Sequence, residues 1–146
     1  MLEILIGASV ITASFLGVLT VFDRLTKTSQ QMMNSVQANF LLEEGLEAVR
    51  IWRDNGWSNI GDWPAGTEYY LTWTGSRWAT STSNVFLNGK FERKIKLSAV
   101  SRDDAADDDD IVAVGGTDDP GTKFVTMTVA WRADKATTTK TLSTYL

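Results

Sequence analysis

Eight of the chain's eighteen acidic residues lie between Asp103 and Asp119, in the stretch SRDDAADDDDIVAVGGTDDPGTK. Aspartates along a loop, with backbone carbonyls between them, form the hard-oxygen set that suits Ca²⁺, which takes about 6–8 oxygens at roughly 2.3–2.6 Å. A bound calcium there would draw on Asp107, Asp109, Asp110 and Asp118. The spacing departs from the D-x-D-x-D-G loop: Ile111 follows the aspartate run, and no glutamate closes it. A solvated acidic loop is the reading this spacing favours, so no metal is assigned to it.

Other chemistry is narrowed by composition. The chain has neither Cys nor His, which excludes zinc sites, disulfides and the Cys–His and Ser–His nucleophilic devices. Gly115-Gly116 lacks a phosphate-loop context, and no pair of carboxylates sits beside an acid–base partner. No enzyme, catalytic residue or cofactor is expected. Lys90, Arg93, Lys94 and Lys96 form a basic run, but strand alternation divides it between two faces, as a solvated surface partly paired with the acidic loop. With a net charge of −4, nucleic acid is not an obligatory partner. Trp52, Trp57, Trp63, Tyr69, Tyr70, Trp73 and Trp78 have the makings of a sugar- or surface-binding platform. Core and subunit contacts are the default for aromatics at this density.

The remaining charged group of interest is Glu3. In MLEILIGASVITASFLGVLTVF, every other residue from Leu2 to Phe22 is apolar, small or hydroxyl-bearing. About 20 such residues, at roughly 1.5 Å rise, span a hydrocarbon core about 30 Å thick. A carboxylate inside that run is unfavourable by about 2.5–3.5 kcal/mol on insertion scales, so it calls for a partner. A chain-terminal amine, from this chain or a neighbour, is the nearest chemistry able to supply one. A secretory signal would carry basic residues ahead of its apolar stretch, and no Lys or Arg precedes Arg24. Gly7 and Gly17 interrupt the run as points of close helix approach; Gly17, beside Ser14 and Thr20, is also a candidate for local unwinding.

The elements that must position these groups follow from periodicity. One helix is predicted over residues 2–54, about 80 Å long. Beyond Phe22 it continues with Met33, Val36 and Phe40 on one stripe and Leu42, Leu46 and Val49 on a neighbouring one. Asp54-Asn55-Gly56 stops it, with Arg50 and Arg53 near the terminal carbonyls. The expected division is 1–54 for the helix, of which 1–22 is the membrane or filament-core half, and 55–146 for a globular head. In the head, strands are predicted at 68–73 and 77–79 around Thr74-Gly75-Ser76. Others fall at 85–87 and 91–102 around Asn88-Gly89, at 124–132, and at about 137–145 after a polar turn at 133–136. Phe91, Ile95, Leu97 and Ala99 share one face, as do Val125, Met127, Val129 and Trp131. The fold class is therefore α+β, an antiparallel sheet whose dry face is covered by the amphipathic half of the long helix.

LEILIGASVITASFLGVLTVF resembles the N-terminal, methylation-type segment of mature type IV pilins and type II secretion pseudopilins. EEGLEAVRIWRDNGW is similar to the run that closes the long helix in pilin-like proteins, and VTMTVAWRADKATTTKTLSTYL to the closing strands of minor pilins and pseudopilins. The resemblance implies the type IV pilin fold and cleavage by a prepilin peptidase. It also implies residence in the cytoplasmic membrane before assembly, then an extracellular pilus on the cell surface serving adhesion or twitching motility. Its partners would be further copies in a helical filament and the pilus assembly machinery. Assembly would rest on Met1, Glu3, Gly7 and Gly17, with Glu3 paired to a neighbour's N-terminal amine. The family usually places four residues ahead of that glutamate and here two precede it: the processed terminus lies upstream, or the start is shorter. Some pseudopilins bind Ca²⁺ in a C-terminal loop, which keeps the acidic stretch in view. A secretion-system pseudopilin and a monomeric membrane-anchored binding module are the alternative readings.

Overall fold

The computed structural model describes residues 1–103, 110–133 and 136–146. Helix α1 runs unbroken over Leu2–Asp54, and a short α2 covers Ser58–Gly61. Seven strands follow: β1 (Glu68–Trp73), β2 (Trp78–Ser81), β3 (Phe86–Leu87), β4 (Phe91–Arg102), β5 (Ile111–Val112), β6 (Thr117–Ala133) and β7 (Ala136–Tyr145). The chain forms two compact units, Met1–Gln37 and Ala38–Leu146.

All strand pairings are antiparallel, and the main order is β2-β1-β4-β6-β7. β4 pairs with β6 and also takes β3, β1 and β5 at successive points along its length. The Asn-Gly turn joins β3 to β4 with φ of 51° at Asn88 and 65° at Gly89, the left-handed pair that a tight hairpin requires. Alternation then sorts the side chains. Phe91, Ile95 and Leu97 of β4 and Val125, Met127, Val129 and Trp131 of β6 are buried, joined by Leu71 of β1 and Ile60 of α2. Their cover is the face of α1 carrying Ala38, Leu42, Gly45, Leu46, Ala48 and Val49. These positions recur at helical spacing, and half of them are Ala or Gly, which lets the helix lie close to the sheet.

Gly45 is a point of close approach. A Cβ at this position would run into Met127 Cε and crowd Arg93 Cδ and Leu71 Cδ2. Overpacking of this kind costs about 1–3 kcal/mol, occasionally more, and outweighs the ~1 kcal/mol of helix propensity gained by leaving glycine. Gly45→Leu is therefore expected to lower the urea midpoint of the full chain without changing the slope of the transition. An unchanged midpoint would mean that the helix and sheet are not in contact there.

Several predicted features shift. Of the two helical stripes, Leu42, Leu46 and Val49 are buried, whereas Met33, Val36 and Phe40 are exposed. Ala99 is not on the dry face: a register shift between Ala99 and Ser101 turns Val100 inward instead. β6 starts at Thr117, seven residues before the predicted strand. Pro120 and Gly121 read as breakers, but they fall in the stretch between the Asp118 and Lys123 pairings, where the ladder lapses and no backbone N–H is required of the proline. The predicted turn at 133–136 includes residues 134 and 135, outside the described residues.

Candidate functional site

The unit Met1–Gln37 is helix from Leu2 onward, and its apolar stretch is long and apolar enough to cross a membrane, with none of that stretch buried within the chain. Leucine, isoleucine, valine and phenylalanine side chains from Leu2 to Leu25 are exposed. A surface of this kind in water is the mark of a membrane or a protein partner. The hydroxyl residues do not interrupt it. Ser9 donates to Ile6 O at 2.8 Å, Thr12 to Ala8 O at 2.8 Å, Ser14 to Val10 O at 2.8 Å, Thr20 to Leu16 O at 2.9 Å and Thr26 to Phe22 O at 3.0 Å. Each hydroxyl is satisfied within its own helix, so it makes no demand on the surroundings.

Of the residues predicted for assembly, Met1, Glu3, Gly7 and Gly17 are all exposed. Glu3 lies in the first turn of α1, and among the described residues its carboxylate has no hydrogen bond or ion pair. A Cβ at Gly7 or Gly17 would meet nothing within 4 Å, and the helix passes through both without a break.

The head places its charges differently from the sequence reading. Arg93 belongs to no solvated face: it is 1% exposed, and its Nη1 donates to Glu44 Oε2 at 2.6 Å. Its guanidinium also donates to Leu41 O at 3.2 Å and Leu71 O at 3.4 Å, and lies 5.0 Å from the ring centroid of Trp78. Burial pulls its pKa below the ordinary guanidinium value, while the hydrogen bond and charge of Glu44 act against that. The signal was present in the sequence, since Arg93 shares parity with Phe91 and Ile95, but strand alternation cannot show which residue will answer a buried charge 49 positions away. Lys94 pairs with Glu92 at 3.1 Å and Glu68 at 3.5 Å, and its hydrogen bond to Glu92 holds its pKa above the ordinary value. At the end of α1, Arg50 pairs with Glu47 and Arg53 with Asp54, instead of serving the terminal carbonyls alone.

The acidic stretch is only partly described. Asp107 and Asp109 lie outside the described residues, and Asp110 and Asp118 are exposed. Among the described residues no three metal-ligating side chains gather. Asp119 is engaged instead: its Oδ2 accepts from Arg102 Nε at 2.6 Å, and its Oδ1 accepts from Gly121 N at 2.9 Å. A hydrogen bond from Thr122 and the contact with Arg102 hold its pKa at about 2, below the usual 3.8. Its ionised form thus favours the folded state fully above the usual value, and that contribution is lost as pH falls from near 4 toward 2. Thr122→Val is expected to raise the Asp119 carboxyl titration, followed by NMR, toward the ordinary range. A midpoint left near 2 would remove Thr122 as the cause.

The aromatics of the head are not uniformly core. Trp52, Trp57, Trp63, Tyr69, Tyr70 and Trp78 are half-buried, while Trp73 is exposed. Trp52 and Trp63 lie 5.4 Å apart, Trp63 and Tyr69 5.2 Å, and Trp73 and Trp78 5.3 Å, in tilted or edge-on contacts. Trp57 Nε1 donates to Pro120 O at 3.0 Å, tying the start of α2 to the lapse in β6. Compared with protein-family models, curated proteins and solved structures, the chain matches none.

Proposed function

We propose that this chain is a structural subunit of a type IV pilus-like filament, held in the cytoplasmic membrane before assembly and polymerised through the apolar part of α1. The observation that carries this reading is one unanswered carboxylate in an apolar stretch of α1 otherwise without polar demands. Glu3 has no partner among the described residues, while all five hydroxyls from Ser9 to Thr26 are satisfied internally.

An anchor alone does not account for Glu3, because an acid in the membrane is unfavourable unless something pairs with it. On moving from lipid to a bundle of like helices, the segment exchanges one apolar environment for another. The transfer is nearly neutral, and packing at small residues takes over. Gly7 and Gly17, open on the helix surface, are the notches where neighbouring backbones would approach. The carboxylate then gains most from the exchange, by meeting a cationic amine of the next subunit in a low-dielectric setting. Pairing at one fixed depth would also set subunit register.

The test is fractionation of sheared cell-surface material by sedimentation, with electron microscopy of the pellet. Fibres containing this chain support the reading. A chain that remains wholly with membranes is a monomeric anchor and overturns it.

A further inference from the structure

The head carries a second feature, separate from the apolar stretch of α1. A cleft of about 440 Å³ lies between the end of α1, the α2 segment and β2, within the ~300–1,000 Å³ typical of small-molecule sites. Trp52, Trp63 and Trp78 supply its aromatic surface, and Asn55, Arg77 and Thr80 supply polar groups at its margin. The tryptophans are braced from behind: Trp63 against Tyr69, Trp78 against Trp73 and the guanidinium of Arg93. Asn59 is fixed by donating to Trp52 O at 3.2 Å, which leaves its side-chain carbonyl for a ligand. By contrast, the side chains of Asn55, Arg77 and Thr80 and the indole N–H groups of Trp52, Trp63 and Trp78 make no hydrogen bond among the described residues. Trp57 differs, since its indole is committed to Pro120.

We infer that this cleft binds an acidic saccharide, such as a uronic-acid unit of a surface or matrix polysaccharide. Flat, rigid aromatic faces match the apolar C–H faces of a pyranose ring. Uncommitted amide, hydroxyl and indole donors at the margin match its hydroxyls. The charge balance selects the acid: among the described residues Arg77 is the one charged residue lining the cleft, with no carboxylate in that lining, and a guanidinium takes a carboxylate in a paired hydrogen bond. An apolar peptide would leave that exposed fork and the donors unmatched. The site is independent of the filament reading, and either can fail alone.

The test uses the full chain in micelles of a detergent without a sugar headgroup, with the tryptophan indole N–H signals followed by NMR. A tetramer of galacturonic acid is titrated against a neutral glucose tetramer and a proline-rich peptide. Expected are saturable shifts at Trp52, Trp63 and Trp78 but not at Trp57 with the acidic oligomer. Arg77→Gln should weaken that binding about tenfold, the loss of one charged hydrogen-bonding partner, and leave the neutral oligomer's response unchanged. Because Arg77 and Asn55 are exposed, Arg77→Gln and Asn55→Ala should fold normally, and Asn55→Ala should weaken both sugars. Equal binding of both oligomers that ignores Arg77→Gln overturns the acidic assignment. Shifts with the peptide alone, or with no ligand at millimolar concentration, overturn the site.

Discussion

Glu3→Ala chains are expected to insert into the membrane at least as well as the parent chain and to yield few or no filaments. The two halves of this result have separate causes. Replacing an acid in the first turn of an apolar run removes an insertion penalty smaller than the ~2.5–3.5 kcal/mol of a helix-centre charge, so membrane insertion is kept or improved. Assembly would lose the one charged contact that the apolar stretch offers, because its five hydroxyls already donate to their own helix. Packing alone would still bring helices together, but with poor register, so residual product should be short or irregular. Glu3→Gln separates charge from hydrogen bonding: if charge is what matters, it behaves like Glu3→Ala. The measurement is the amount of chain in the sheared, sedimented fraction relative to the membrane fraction. Filaments of Glu3→Ala at the parent yield and regularity would dispose of the pairing role.

The second large effect concerns the head, where Glu44→Gln should destabilise more than Arg93→Met. Glu44 is 51% exposed, whereas Arg93 is 1% exposed, so the two partners are not equivalent. Removing the carboxylate's charge leaves a guanidinium in the core with no counter-charge, held by the carbonyls of Leu41 and Leu71, the Trp78 ring and the amide oxygen of the new glutamine. The expected loss is about 2–3 kcal/mol, below the ~3–5 kcal/mol for breaking a fully buried pair because Glu44 is half exposed, or a fall in Tm of about 10 °C or more. Removing the guanidinium instead leaves a carboxylate that can turn to water, while methionine refills much of the volume. That change should cost at most about 1 kcal/mol. The double variant should be no less stable than Arg93→Met alone. Thermal unfolding of the full chain in detergent reads all three. If Arg93→Met proves the more damaging, the stacking of Arg93 on Trp78 outweighs the ion pair.

The coarse plan was legible because the periods are long and clean. The helix to Asp54 follows from an uninterrupted apolar rhythm, and the β3–β4 hairpin from Asn88-Gly89. The inward faces of β4 and β6 follow from alternation over many residues. What escaped depends on contacts distant in sequence. β5 is two residues that become a strand only by pairing with Ser101 and Arg102, and β6 begins early because Arg102 and Thr117 are partners. The burial of Arg93 is hidden because a basic run suggests solvent, while Glu44, the carbonyls of Leu41 and Leu71 and the Trp78 ring, all distant in sequence, make that burial tolerable. The tryptophans were read as a density without geometry; the cleft arises from the turn of chain between α1 and β1, which local rules describe only as irregular.

The inward-bonded hydroxyls of α1 carry one last consequence. A helix with methyls and methylenes on most of its surface offers lipid little to distinguish one side from another, so on the proposed reading the anchor would have little angular preference before assembly. In the proposed filament, orientation would then be acquired on contact, and the features by which a neighbour could tell one azimuth from another are the two glycine notches and a single anionic point near the beginning of the helix.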